Sequence, residues 1–474
     1  MTGVLTGDRV LAAAGLAVAC LTIGYASGVD PTYGLAASIA LAFTLVAMAS
    51  LYAGIIGFIL LTFVSDIPGF LGPGVTASKA AGLVLVVAWL AHLARHKDAR
   101  ADFFSAHPAA SWILVFFIGW GVLSLAWAEG TGTGLEAVFR ISLNAVFFLI
   151  VFTAVRTRGQ AIGILGAFAG GACLNAIYGL LNPVNVANTA RFVGSSSKPG
   201  ELAAALVAGL VLSLALASVL KGKPALRFLV ALAVPLCAVG VLLTGSRGGL
   251  IALMVALAGF IVVGAKWRGR IVVLTVAVVI AGFGFYTYAA SEDLRSRVTS
   301  VGSGSGRIDL WTVGWRMVEE NPLDGVGIGN FPVASPHFVL VPGDVARAQY
   351  VAYSDKVAHN TYLEIWAETG LVGLALFVCL VSFCVRSSLS AARAFAARGD
   401  PPMELLSRAL FVAQLAFLAG AFFTSREYQT DVWLILALGP TLLAVASSAR
   451  VRTPDEVDAH ALAAPRRPQP VPTR

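Results

Sequence analysis

Apolar runs long enough to cross a bilayer recur along almost the whole chain, and no other feature restricts the fold as much. A hydrocarbon core needs roughly 20 apolar residues per helix. Such runs lie near residues 10–28, 33–49, 52–65, 76–94, 110–128, 136–155, 160–182, 200–220, 227–244, 248–264, 271–289, 361–385, 406–424 and 430–448. Backbone polar groups in lipid need partners within their own segment, so these runs read as helices. The second and third are short and separated only by Ser50-Leu51, as two half-spans or one hairpin would be. The expectation is an all-α polytopic membrane protein with an even number of spans, roughly 12 to 14.

Composition excludes the alternatives. Hydrophobic residues make up 58% of the chain and charged residues 12%, with a mean hydropathy of +0.83. That is too little charge to cover a soluble surface of this size, so a soluble enzyme, a secreted binding module and a disordered scaffold are ruled out. The five cysteines (Cys20, Cys173, Cys237, Cys379, Cys384) fall inside apolar runs without C-x-x-C or Cys/His spacing. They read as buried small hydrophobes, with no disulfide framework or zinc site. With the N-terminus placed inside, 21 of the 33 lysines and arginines fall on the inner side, against 8 of the 25 acidic residues. The net charge of +8 therefore marks an inner membrane face and not a nucleic-acid partner, and both termini are expected in the cytoplasm.

The organisation follows. Residues 1–289 form N-terminal spans, 290–360 a long extracytoplasmic loop, 361–448 the C-terminal spans, and 449–474 a Pro-rich disordered tail. Segment one reads as a retained span, and no fixed-period repeat occurs. The long loop is polar but carries aromatic residues, as functional loops do. In RIDLWTVGWRMVEE, Ile308, Trp311, Trp315 and Val318 recur at helical spacing, predicting an interfacial helix with that face down.

Several positions have the chemistry of a site. Arg247 lies in TGSRGG, a hairpin of a few residues whose glycines permit a tight turn beside a helix N-terminus. A guanidinium there suits a phosphate, and the alternative is snorkelling to headgroups. Ser246 precedes it. Arg307 opens the interfacial helix and either contacts a ligand or pairs with Asp309. Arg191, in NTARFVGSSSKPGEL, stands beside Lys198 on a polar lip before the span that Pro199 starts. His359 sits where the long loop re-enters the membrane. It is a general-base candidate or an interfacial histidine, with Asn360 as N-cap of the next helix. Glu364 and Glu368, one turn apart, orient His359, contact a sugar, or complement the helix end. Asp431 and Arg426 share a short outer turn. No Walker A lysine, H-E-x-x-H, G-x-S-x-G or D-x-D occurs, which argues against an ATP motor, a metalloprotease, a serine hydrolase and a metal-held nucleotide sugar.

Three stretches in order, TGSRGGLIAL, GRIDLWTVGWRMVEENPLDGVGIGNF and HNTYLEIWAETGLVGLALF, resemble the O-antigen ligase and O-antigen polymerase superfamily of bacterial membrane glycosyltransferases. The resemblance covers about residues 240–385 by motif and most of the rest by topology. It implies a GT-C-like fold and a glycan donor on undecaprenyl diphosphate, used at the outer face of the inner membrane. Transfer to an acceptor hydroxyl would need no metal and no cofactor. By motif, Arg247 and Arg307 would bind the donor diphosphate, Arg191 less specifically, and His359 would be the base. The acceptor is a glycolipid, another lipid-linked glycan or a protein, so ligase and polymerase both stay open. A lipid-linked glycan flippase is the alternative from another class, and it predicts charge at mid-span.

Overall fold

The computed structural model describes residues 7–448 apart from 65–76, 96–102, 183, 187–188, 196–197, 265–267, 300–305, 342, 344, 347–350 and 352–355. The disordered tail expected at 449–474 lies outside the described residues. The first half runs through α1 (Gly7–Val29), α2 (Pro31–Ala49), α3 (Leu51–Val64), α4 (Ala77–Arg95), α5 (Phe103–Ala106), α6 (Pro108–Ser124), α7 (Thr131–Ala154) and α8 (Arg158–Leu181). A hairpin of β1 (Val184–Val186) and β2 (Thr189–Arg191) follows, antiparallel with Val184 opposite Arg191. Then come α9 (Pro199–Val219), α10 (Pro224–Leu243), α11 (Arg247–Val263) and α12 (Arg268–Gly284). The long connection holds α13 (Glu292–Thr299), α14 (Arg307–Glu320) and α15 (Phe331–Val339), and the chain ends in α16 (Thr361–Ala397), α17 (Pro401–Ala421) and α18 (Thr430–Ser448).

This is an all-α polytopic membrane protein. Among the described residues, nine helices are long and apolar enough to cross a membrane, and five shorter apolar helices accompany them. The ambiguous second and third runs are two separate helices that meet at Ser50, whose amide still bonds to Val46.

At the centre stands α9, buried without interruption from Glu201 to Ser213 and packed against α8, α10, α11 and α17. A helix apolar all round belongs in an interior. Its neighbours come close because small residues face it: a Cβ on Gly209 would lie 2.7 Å from Ala172, and one on Gly249 would lie 2.3 Å from Ala203. A second, smaller core joins Leu310, Val313 and Met317 of α14 to Phe331 and Phe338 of α15 and Ala367 of α16.

Three expectations need correction. The face of α14 that turns inward is Leu310, Val313, Met317 and Val318. Ile308 and Trp315 point outward, because the loop brings its own core, and only Val318 of the proposed stripe is buried. The span beginning at 361 is broken at Gly370 (φ 65°, ψ −171°) and runs on to Ala397. Cys237 and Cys384 are buried, but Cys20 and Cys379 lie on outward helix surfaces, where lipid is as good a solvent for a thiol as a core.

Candidate active site

The site is built where the ends of several helices meet the α17–α18 turn. Ser246 caps α11, accepting from the Gly249 amide at 3.2 Å, after Gly245 (φ 56°) has turned the chain. Gly248 then packs on Phe423, where an added Cβ would lie 2.8 Å from the phenylalanine's Cβ and 3.1 Å from its ring. Arg247 is the first residue of that helix and is exposed. Pro199 starts α9 next to Lys198, whose ammonium sits 3.1 Å from Glu201. Arg307 starts α14 behind Gly306, which takes the left-handed conformation (φ 65°). Asp309 turns its carboxylate to the Ala346 amide at 3.1 Å. Asn360 caps α16 through the amides of Tyr362 and Leu363. Each of these helices points the positive end of its dipole outward from its first turn.

Contacts across the turn join these starts. The Thr424 carbonyl accepts from both the amide and the hydroxyl of Thr361, at 3.1 and 2.8 Å. Trp311 of α14 donates its indole N–H to the Ala358 carbonyl at 3.1 Å and lies edge-on to Phe422.

His359 holds an unusual backbone. With φ 52° it is the one non-glycine residue with positive φ among the described residues. That conformation costs about 1–3 kcal/mol and persists only where neighbours over-determine it. They do so here, since Ala358 is clamped on both sides. Its carbonyl is held by Trp311, and its amide donates to the Glu364 carboxylate at 3.0 Å. Burial lowers the pKa of His359 to about 4, helped by the positive charges of Arg307, Lys198 and Lys356. The imidazole is therefore neutral at physiological pH and surrounded by cations.

Behind this segment lies a polar cavity of about 220 Å³, lined in part by Val357, Lys198, Glu364, Glu368, Glu427 and Tyr428. Glu368 is a structural staple, accepting from the amides of Gly329 (2.9 Å) and Phe331 (3.1 Å) and from the Tyr428 hydroxyl (2.9 Å). Glu364 accepts from Ala358 and from the Ser425 hydroxyl, and it reaches Glu427. Burial pushes Glu427 up to about 7, and the charge of Glu368 adds to this. One oxygen of Glu427 is buried without a hydrogen-bond partner. On the other side, Asn360, Trp311, Trp315, Tyr362, Trp366 and Phe422 line a wide apolar groove of about 720 Å³ between α14 and α16. The four residues 357–360 thus separate a polar cavity from an aromatic groove.

The structure brings His359, Asn360, Glu364, Arg307 and Lys198 together, and Ser246 serves as a cap beside Arg247. Asp431 is used otherwise. It pairs with Arg426, a buried strut whose guanidinium also donates to the Glu201 carbonyl and lies 4.8 Å over Phe417. The Arg191 backbone lies in β2, and its side chain is outside the described residues. Sequence reasoning missed Glu427, Ser425, Tyr428 and Lys356. A usable signal existed for Glu427, because a carboxylate on a short turn between two apolar spans needs a reason.

Residues 228–378 match the family model described as O-antigen ligase. The chain is also similar to the O-antigen ligase of Pseudomonas aeruginosa, 25% identical over 328 residues that cover 68% of this chain and 75% of that protein. Both findings support the O-antigen ligase and polymerase superfamily that the motif order resembles. With it they support a membrane glycan-transfer function.

Proposed function

From that family assignment, we propose that the chain transfers a glycan from undecaprenyl diphosphate to an acceptor hydroxyl at the outer face of the bacterial inner membrane, as an O-antigen ligase does. The observation that carries this reading is the placement of a neutral, backbone-strained His359 among Arg307, Lys198 and Lys356 at converging helix starts. Cations and the positive ends of helix dipoles together suit a diphosphate. The aromatic groove opens beside Arg307, since Trp311 lies one turn along the same helix, and it gives the prenyl chain a course into the apolar zone.

In this mechanism Arg247 and Arg307, with Lys198, hold the diphosphate, and Arg191 is a further diphosphate ligand on the motif alone. The acceptor oxygen attacks the anomeric carbon, and a new carbon–oxygen bond forms as the bond to the phosphate oxygen breaks. The electron pair leaves with the diphosphate, where the fixed guanidiniums stabilise the growing charge. His359 takes the hydroxyl proton. Glu364 acts at one remove by fixing the Ala358 amide, and so the histidine's backbone. A flippase fits less well, because these cations gather at helix starts and not at mid-span.

The test is transfer by reconstituted protein from a prenyl-diphosphate oligosaccharide to a glycolipid, with products resolved by mass. His359→Ala and Arg247→Ala should each reduce transfer by about 100-fold or more while the protein still inserts. Wild-type rates in both would end the assignment. A single acceptor-dependent addition identifies a ligase, whereas a ladder without added acceptor identifies a polymerase.

A further inference from the structure

A second opening leads to the same site from another side of the molecule. Between α4 and α7 lies a cleft of about 250 Å³ with Val86, Phe139 and Leu143 among its apolar lining, Lys79 in the first turn of α4 and Arg140 in the first half of α7. Its flanks face outward as apolar surface: Leu83, Val87 and Phe139 are each at least half exposed. Inward, the cleft shares Arg140, Tyr428 and Gln429 with the polar cavity that ends at Val357, Glu364 and Glu427. Its lining has no residue in common with the aromatic groove between α14 and α16.

The two cations of the cleft are not explained by stability. Lys79 and Arg140 both reach Glu136, at 3.7 and 2.6 Å, and all three side chains are about half exposed. Exposed ion pairs of this kind contribute little to folding, and two cations on one carboxylate leave a positive charge over. Through the shared residues Arg140, Tyr428 and Gln429, a cleft of apolar walls and two cations passes into a chamber of carboxyls and hydroxyls with one buried Glu427 oxygen unpartnered. Those environments match acyl chains, an anionic group and sugar hydroxyls.

We propose that the α4–α7 cleft is the acceptor's opening, and that it takes a membrane-embedded glycolipid with an anionic group next to its sugars. Lys79 and Arg140 hold the anionic group, and the chamber receives the sugar whose hydroxyl reaches His359. Glu364, Glu427 and Tyr428 face that sugar as hydrogen-bonding partners. This rests on the reading of the chain as a glycan transferase, and it adds that donor and acceptor approach through different openings.

Binding tests it independently of turnover. A phosphorylated glycolipid with a photoreactive acyl chain, added to the full-length protein in nanodiscs without donor, should cross-link to α4 and α7. A photoreactive prenyl diphosphate should cross-link to α14 and α16. Gly82→Leu offers a clean obstruction, because a Cβ there meets only the Phe58 ring, at 3.7 Å. It should abolish glycolipid cross-linking and leave prenyl cross-linking intact. In the transfer assay, replacing Lys79 and Arg140 together by glutamine should raise the acceptor KM about ten-fold or more, as loss of charge-assisted contacts does, with the donor KM within about two-fold. A deacylated, water-soluble acceptor should escape the Gly82→Leu block but not the loss of the two cations. Acceptor cross-links outside the cleft, prenyl cross-links within it, or an unchanged acceptor KM would overturn the proposal. Correct cross-links in a protein that transfers nothing would instead overturn the functional reading.

Discussion

A histidine at φ 52° is held there by its neighbours, and those neighbours also set its chemistry. At a pKa of about 4, His359 is neutral over the whole physiological range, but it is a weak base as long as three cations face it. A bound diphosphate would offset those cations and raise the basicity of the ring when a base is needed. The sign of the pH dependence follows. The acid limb of kcat/KM, which reports the free enzyme, should fall near pH 4, and the acid limb of kcat should lie at higher pH. Coincident limbs would show that no anion settles beside the imidazole. Replacing Glu364 by alanine frees the Ala358 amide in a buried place, at a cost of about 1–3 kcal/mol. It should lower kcat more than it changes the donor KM, and Glu364→Gln should restore part of the rate by accepting the same hydrogen bond. In the sequence Arg247 stands out as a cation on a short turn between apolar spans, whereas Arg307 and His359 also have ordinary readings, a surface pairing and an interfacial cap, and it is the motif order that singles them out. Nothing local marks Ser425 or Tyr428, since their contribution depends on the packing of the α17–α18 turn against α16.

Among the elements, α16 contributes most to the site through its break. At Gly370 the backbone leaves helical geometry, and the turn after α14 docks into the gap: Leu371 donates to the Pro322 carbonyl, Val326 to Ala367 and Gly327 to Glu368, at 2.8–2.9 Å. A Cβ on Gly370 would lie 2.1 Å from the Leu323 carbonyl carbon, in a conformation that L side chains rarely adopt. Gly370→Ala should therefore undock the 322–331 turn and lower the thermal midpoint markedly. Gly119→Ala, with open space around its Cβ, should leave the midpoint unchanged, and differential scanning on detergent-solubilised protein separates the two. Apolar length and periodicity made the helices themselves legible in the sequence. The break was not, because Gly370 sits in an apolar stretch beside Gly373 and nothing local distinguishes a glycine for close packing from one for a turn.

At the scale of the whole molecule, charge asymmetry leads to the proposed orientation, with both ends in the cytoplasm and the site outside. Single cysteines in a background freed of the native five give the check. Glu129→Cys, on the turn between α6 and α7, should react with an impermeant maleimide added outside intact spheroplasts, and Arg158→Cys, at the start of α8, should not. Reversed labelling would move the site to the cytoplasmic face and remove the premise of an extracytoplasmic donor. The four-residue wall at 357–360 has a consequence for descent as well as for chemistry. Because the chamber and the aromatic groove share no lining residue, a substitution can change the lining of one without changing that of the other. If the two openings serve donor and acceptor as proposed, a lineage would exchange one acceptor for another by altering α4 and α7 alone, with its handling of the prenyl carrier intact.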